Sequence, residues 1–263
     1  MSDPEMKEEK ILDESASPDD VQPDTPSFAM LRTLAGIAMM SGLLVVMVYE
    51  ITKPIIAENK RIAIEKAISV IISDVSSKKD YSLGPEGLVE LTADTKEIAK
   101  GSEKIYAAYN DKGELQGIAL EAAATGYQDV IRILYGYNPE CECVTGIKVL
   151  KMAETPGLGD KIAFEPEFLK NFVALDAKLN ETGDALINEI VTVKAGTKTE
   201  EWQIDAISGA TISSNAIGKM INQSSQKMLP LIKKNLDELS KPIPVMIEAT
   251  TTEAATTEAD TTE

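Results

Sequence analysis

The first pattern along the chain is an uncharged apolar run from Thr33 to Tyr49. This length is at the short end for a transmembrane helix, and Phe28–Met30 and Ile51 extend it. We therefore predict a transmembrane helix over residues 28–52. A cleaved signal peptide is one alternative, but signal peptides open with a basic region, whereas an acidic stretch precedes this run. A buried core helix is the weaker alternative.

Beyond this run, apolar spacing predicts a mixed domain. Four isoleucines on one face predict a helix over Pro54–Asp74, and a loop-rich stretch follows it. Short β-like runs predict strands at Lys104–Tyr109, Leu115–Glu121, Val130–Tyr137, Val144–Met152 and Ile187–Val193. Asp111-Lys112-Gly113 predicts a hairpin turn and Phe164–Phe172 a short helix. An amphipathic helix runs from Ser213, and Pro230 kinks or ends it. The predicted fold class is α+β: one N-terminal transmembrane helix, then a β-sheet with flanking helices.

The net charge of -17 is concentrated in the two tails. Residues 1–27 hold nine acidic residues against two lysines, and residues 245–263 hold five acidic residues and no basic one. The first segment is predicted to be disordered and the second to be a low-complexity tail, because neither has enough apolar surface to fold. The rest of the chain carries an ordinary charge with no basic patch, so no nucleic-acid partner is expected.

The absence of histidine excludes several kinds of chemistry. It removes Ser-His and Cys-His catalytic pairs, His-ligated zinc and His-ligated haem. The only cysteines, Cys141 and Cys143, are too few for an iron–sulfur cluster. We therefore predict no metal site and no catalytic residue of the chain's own, and any redox chemistry requires an organic cofactor.

The most informative segment is Asp205-Ala206-Ile207-Ser208-Gly209-Ala210-Thr211, between a predicted strand and the last helix. Gly209 allows a tight turn and Ala210 keeps the approach open. The free amides at the helix start then suit a phosphate beside Thr211. The alternative is that the hydroxyl side chains of this segment only cap a helix.

A second segment, Glu154-Thr155-Pro156-Gly157-Leu158-Gly159-Asp160-Lys161-Ile162, directly follows a predicted strand. Its proline and glycines give an exposed loop a fixed shape from which Leu158 projects. The alternative is an ordinary strand-to-helix connection, in which proline and glycine are common.

In this order, the anchor, Gly126-Tyr127 before Ile131, Glu154–Ile162 and the segment ending at Thr211 resemble the flavin-binding subunits of the Rnf and sodium-pumping quinone-reductase complexes. The resemblance covers most of residues 33–239. The segment after the anchor, beginning Thr52-Lys53-Pro54, is closer to the G subunit of Rnf than to the C subunit of the quinone reductase.

The resemblance implies that residues 53–244 form an FMN-binding domain and that FMN is esterified to Thr211 as a phosphoryl-threonine. A dedicated flavin transferase that uses FAD and Mg²⁺ makes this bond in the family. By the same resemblance, Asp205, Ser208, Gly209 and Ala210 belong to the attachment motif, which the transferase recognises. The residues expected to contact the ring or the ribityl chain are Glu154, Thr155, Gly157 and Leu158.

The function that the resemblance implies is electron transfer within a membrane complex that couples reduced ferredoxin and NAD to ion movement. The chain would be a carrier subunit without independent catalytic activity, with the other subunits and the lipid membrane as partners. The alternatives are the C subunit of a quinone reductase, a stand-alone flavinylated carrier, and, in another class, a non-redox membrane-anchored scaffold.

The orientation in the membrane is ambiguous from charge. Arg32 precedes the apolar run, while Lys53, Lys60 and Arg61 follow it, a balance that places the large domain inside. The family instead places the flavin domain outside the cytoplasm, with the short acidic N-terminus inside, and we adopt that expectation for the plasma or inner membrane. A local disulfide, a metal site shared with a partner chain and free thiols all remain open for the two cysteines, which receive no role.

Overall fold

The computed structural model describes residues 27–92, 98 and 100–242. The predicted acidic segment 1–27, apart from Ser27, and the predicted tail 245–263 lie outside the described residues. The chain falls into two units, divided between Ala57 and Glu58.

The first long element, α1, is one helix of 45 residues, Ser27–Ile71, with Pro54 inside it. The sequence predicted two helices here, and the structure joins them and ends the second at Ile71, three residues before Asp74. An 18-residue stretch of α1 has a mean hydropathy of 2.0, and none of it is buried. The helix therefore has the length and composition to cross a bilayer.

The second unit is built on a seven-stranded antiparallel sheet in the order β2-β1-β3-β4-β5-β6-β7. The strands are β1 Ser77–Gly84, β2 Gly87–Glu90, β3 Glu103–Tyr109, β4 Leu115–Thr125, β5 Val130–Asn138, β6 Cys143–Lys151 and β7 Leu175–Asp176. A separate parallel pair consists of β8 Val191–Val193 and β9 Gln203–Asp205. The remaining helices are α2 Pro166–Leu169, α3 Thr211–Lys234 and α4 Leu236–Leu239, with 3₁₀ turns at Gly159–Ala163 and Lys170–Phe172. The predicted α+β class is confirmed.

Helices cover both faces of the sheet, because successive strand residues point to opposite sides. On β3, Ile105 and Ala107 belong to the core that includes α3, whereas Tyr106 and Ala108 pack with the isoleucines near the end of α1. Thr145 Oγ1 also donates a hydrogen bond of 2.7 Å to the carbonyl of Ile71, which satisfies one acceptor at the helix end. The sheet therefore holds α3 on one side and the last turns of α1 on the other.

The predicted apolar face of the last helix is confirmed. Ile217, Met220, Ile221 and Met228 are all buried. Beneath the helix, Tyr135 is fully buried and donates a hydrogen bond of 2.8 Å to Ser224 Oγ. Burial raises the pKa of Tyr135 to about 12. The helix continues four residues past Pro230, so of the two effects predicted for this proline, a kink or an end, the end is wrong.

Three other segments differ from prediction. The expected loop-rich stretch contains the β1–β2 hairpin, whose charged residues form ion pairs such as Lys79–Glu90 and Lys104–Asp80. The predicted strand Ile187–Val193 is reduced to β8, and the predicted helix Phe164–Phe172 to α2 and a 3₁₀ turn.

Cys141 and Cys143 form a disulfide at the β5–β6 turn, one of the three arrangements left open by the sequence.

Candidate cofactor site

The segment that ends at Thr211 forms a tight turn that leads directly into α3. The amide of Ala210 donates to the carbonyl of Ile207 at 3.0 Å, which closes the turn. Gly209 has φ = +84°, a conformation that the third position of a type II turn requires and that side chains disfavour. The turn places Thr211 as the first residue of α3.

The start of α3 has no side-chain cap. The N-cap residue is Ala210, which has no hydroxyl or carboxylate to accept an amide, and Ser208 and Thr211 are both exposed. The alternative, in which hydroxyl side chains only cap this helix, is therefore not what the structure has at the N-cap. The first amides of a helix lack intrahelical partners, so an uncapped start suits an anionic group.

The two hydroxyl groups just after the motif, on Ser213 and Ser214, are buried and occupied. Ser213 Oγ is 2.6 Å from Glu154 Oε2 and donates to it, and the residue is 2% exposed. Ser214 Oγ accepts the amide of Ile207 at 3.1 Å and donates to the carbonyl of Ala210 at 2.9 Å. Thr211, in contrast, is exposed and beside a cavity. Ser208 is also exposed but does not line this cavity, so of these four Ser and Thr residues Thr211 alone is both exposed and part of the cavity lining.

The second motif forms a turn at the end of β6. The amide of Leu158 donates to the carbonyl of Thr155 at 3.2 Å, and Gly157 has φ = +79°. This turn leaves Leu158 50% exposed. A Cβ built on Gly209 would lie 3.8 Å from Leu158 Cδ2, so the two motifs meet although about fifty residues separate them.

Glu154 is a buried carboxylate between these segments, 6% exposed. Its Oε1 accepts the amides of Tyr127 at 3.0 Å and Gln128 at 3.2 Å. Its Oε2 accepts the hydroxyl of Ser213 at 2.6 Å. The side chain therefore joins the end of β6, the β4–β5 loop and the first turn of α3.

These segments enclose a cavity of about 480 Å³. Its lining residues are Tyr127, Glu154, Thr155, Leu158, Gly159, Gly209, Ala210, Thr211, Ile212 and Ser213. The volume falls within the range of roughly 300–1,000 Å³ that is typical of small-molecule sites. The exposed apolar side chains of Tyr127, Leu158 and Ile212 offer surface for a flat ring, and Thr211 offers an attachment oxygen. The residues present therefore fit a phosphorylated aromatic cofactor.

The structure brings six of the nine predicted site residues to this cavity. Asp205, Ser208 and Gly157 are not part of its lining. Asp205 instead accepts the amides of Gly196 at 2.8 Å and Thr197 at 3.3 Å, so its carboxylate holds a neighbouring loop.

Four lining residues were absent from the predicted set: Tyr127, Gly159, Ile212 and Ser213. Tyr127 and Gly159 belong to the quoted motifs, so their sequence signal was present and only their role was missed. Ile212 and Ser213 directly follow the segment that ends at Thr211.

The disulfide lies at a different place. Cys141 and Cys143 line a more open cavity of about 660 Å³, together with Asp176, Lys178 and Lys198. None of the motif residues lines that cavity. Among the described residues, no group of three or more Cys, Asp or Glu side chains is arranged to hold a metal ion.

Comparison with known proteins relates part of the second unit to a known family. Residues 126–226 match the family described as the FMN-binding domain, and both motifs lie inside this range.

The relatives are subunits of ion-translocating complexes. The chain is 36% identical over 115 residues to the G subunit of the ion-translocating oxidoreductase complex of Methanosarcina acetivorans, a match that covers 43% of this chain and 51% of that protein. It is 31% identical over 152 residues to the G subunit of the Na⁺-translocating ferredoxin:NAD⁺ oxidoreductase complex of Acetobacterium woodii, with 56% and 66% covered. The alignments span about half to two thirds of these relatives. The resemblance to the G subunit that the motifs predicted is confirmed.

Among solved structures, the crystal structure of Shewanella oneidensis NqrC is similar with a TM-score of 0.48 and 16% identity. The match covers 64% of this chain and 85% of that one.

Proposed function

We propose that this chain is a membrane-anchored electron carrier that holds FMN through a phosphoester to Thr211. The observation that carries the proposal is the state of the hydroxyl groups around the cavity. Thr211 is exposed at the uncapped start of α3, whereas Ser213 and Ser214 are buried and bonded to protein atoms. Among the hydroxyl residues of 205–214, Thr211 alone is therefore both exposed and at the cavity.

The proposed roles of the other residues follow from their positions. The free amides at the start of α3 bind the phosphate, because they carry the positive end of the helix dipole. Leu158 and Tyr127 offer apolar surface to the ring and exclude water from part of it. Thr155 borders the same cavity. Asp205, Ser208 and Gly209 shape the turn that the flavin transferase recognises, although only Gly209 reaches the cavity.

The redox chemistry belongs to the flavin, and the protein sets its position and electrostatics. With its phosphate esterified, the flavin cannot dissociate between electron-transfer events, while its ring stays free. The chain supplies no catalytic group of its own in this scheme. Its relatives among the G subunits favour a place in an Rnf-type complex that links ferredoxin and NAD to ion movement, with the other subunits as partners.

We further propose that α1 spans the plasma or inner membrane once and that residues 53–244 form the flavin domain on its outer side. The apolar side chains near the N-terminal end of α1, such as Leu34 and Leu43, are about 70% exposed, and lipid would cover them. A cysteine introduced at Lys112, in the exposed β3–β4 hairpin, tests the orientation after Cys141 and Cys143 are replaced by serine. It should react with an impermeant thiol reagent on intact cells, while a cysteine at Ser17 reacts only after lysis. The reverse pattern would place the domain inside.

The attachment is tested by co-expressing the full chain with a flavin transferase and reading flavin fluorescence in a denaturing gel. Wild type should fluoresce, and Thr211→Ala and Thr211→Val should not, since both remove the attachment oxygen. Thr211→Ser keeps an oxygen but loses the methyl group that restricts the rotamer, so partial labelling is expected. Full labelling of the alanine variant would contradict the phosphoester. A colourless wild-type protein would favour the non-redox scaffold instead.

A further inference from the structure

Glu154 makes contacts that its place in a loop motif does not explain. The side chain is 6% exposed, yet among the described residues no Lys or Arg forms an ion pair with it. A buried carboxylate without a cation is costly unless hydrogen bonds satisfy it. Here the donors come from two distant segments, the amides of Tyr127 and Gln128 and the hydroxyl of Ser213.

Two glycines lie directly against the same carboxylate. A Cβ on Gly126 would clash with Glu154 Oε1 and would lie 2.6 Å from Ile131 Cδ1. A Cβ on Gly159 would lie 2.6 Å from Glu154 Oε2. Both backbones therefore approach the carboxylate more closely than any side chain permits. Gly126, which precedes Tyr127, and Gly159, which follows Leu158, are thus required for the same reason: a side chain at either position would collide with Glu154.

These contacts involve the three chain segments that line the cavity. Through its donors and glycine neighbours, Glu154 connects the loop that carries Tyr127, the turn that carries Leu158 and the helix start that carries Thr211. Tyr127 and Leu158 offer their side chains to the ring, and Thr211 carries the attachment oxygen. The relative position of all three residues thus depends on the carboxylate of Glu154.

We propose that Glu154 is the positioning residue of the flavin pocket, and that it acts through the protein groups it binds rather than through contact with the cofactor. The role of Glu154 in a flavin pocket rests on the proposed function. Its role in holding the two loops and the helix start together is a property of the chain without flavin. Two tests separate these parts.

The first test uses the full chain without flavin and measures amide hydrogen exchange at Tyr127 and Gln128. Glu154→Ala removes their acceptor, so exchange should become about tenfold faster or more, the change expected for losing a hydrogen bond to a charged group. Glu154→Gln keeps one acceptor oxygen for the amides, and its NH₂ group can donate to Ser213, so exchange should stay near wild type. The amide of Gly113, which donates to the carbonyl of Asn110 in the β3–β4 hairpin, is the internal reference.

A variant at an exposed position controls for loss of charge. Glu167 is a carboxylate in the same unit whose side chain is 76% exposed, so Glu167→Ala should leave both amides unchanged. If Glu154→Ala prevents folding, Glu154→Asp decides, because it keeps the charge but withdraws the carboxylate by one methylene and should accelerate exchange. Wild-type protection in a folded Glu154→Ala or Glu154→Asp chain would overturn the proposal, as would failure of Glu154→Gln to restore it.

The second test uses the flavinylated chain. Glu154→Ala should slow labelling at Thr211 about tenfold and change the flavin absorption spectrum, because the cavity walls lose their common support. Glu154→Gln should restore the labelling rate, which a mere loss of negative charge would not permit. A labelled Glu154→Ala chain with wild-type rate and spectrum would refute the pocket role. If wild type itself takes no flavin, the proposed function fails, and the exchange experiment still decides whether Glu154 positions the loops.

Discussion

Replacing Gly159 by alanine tests whether the two motif turns are packed against one buried carboxylate. The new Cβ would lie 2.6 Å from Glu154 Oε2 and 2.8 Å from Ser213 Oγ, well inside normal contact. Relieving these contacts requires the Glu154 or Ser213 side chain to shift, which strains or breaks the hydrogen bond between them. Overpacking costs about 1–3 kcal/mol, and a lost hydrogen bond to a charged group costs about 1.5–3 kcal/mol. We expect Gly159→Ala to lower the free energy of unfolding by about 4 kcal/mol.

Gly157→Ala is the matched control in the same turn. No atom lies within 4 Å of a Cβ at this position, so the only cost is the positive φ of +79°. That cost is about 1–2 kcal/mol. Thermal unfolding of the unlabelled chain measures both variants, and a domain of this size shifts by about 2–4 °C per kcal/mol. Gly159→Ala should therefore lose roughly 8–16 °C and Gly157→Ala about 2–8 °C, with the same slope applying to both variants. An equal loss in both variants, or a smaller one at position 159, would refute the close packing.

Three further predictions follow from other parts of the domain. The pKa of Tyr135 is raised to about 12 by burial. Its stabilising contribution is therefore full below the unfolded pKa of about 10 and lost as pH rises toward 12, so Tyr135→Phe should resist alkaline unfolding better than wild type. Asp205→Ala should lower the free energy of unfolding by about 1–3 kcal/mol in denaturant titrations, because two loop amides lose their acceptor. Reducing the disulfide between Cys141 and Cys143 should cost about 2 kcal/mol or less, since the closed loop is short, and should leave flavin labelling unchanged.

The elements that could be predicted from the sequence are those with strong apolar periodicity. In α3 the spacing of Ile217, Met220 and Ile221 matches one face of a helix, and all three are buried. The central strands were placed within a few residues for the same reason. The β1–β2 hairpin was missed because Lys78, Lys79 and their neighbours give no apolar alternation there, and ion pairs accommodate their charges at that side of the sheet.

The site was predicted at the level of segments but not of contacts. Each motif could be recognised by its own glycines, whereas the approach of Leu158 to Gly209 was not predicted and is seen only in the structure. The partners of Glu154 could not be predicted, because Tyr127 and Ser213 are twenty-seven and fifty-nine residues away in the chain. From the sequence, the carboxylate of Glu154 in a loop motif suggests a contact with a ligand. The structure shows instead that both of its oxygens accept hydrogen bonds from the protein.

The most direct test of the central claim is peptide mass spectrometry on the full chain after co-expression with a flavin transferase. The peptide containing residues 205–214 should carry the mass of FMN less one water, and fragmentation should place it on Thr211. This result is expected because Thr211 is exposed at the uncapped start of α3, while Ser213 and Ser214 are bonded and buried. An adduct on Ser208, Ser213 or Ser214 would contradict the assignment, and an unmodified peptide would contradict covalent flavin attachment altogether.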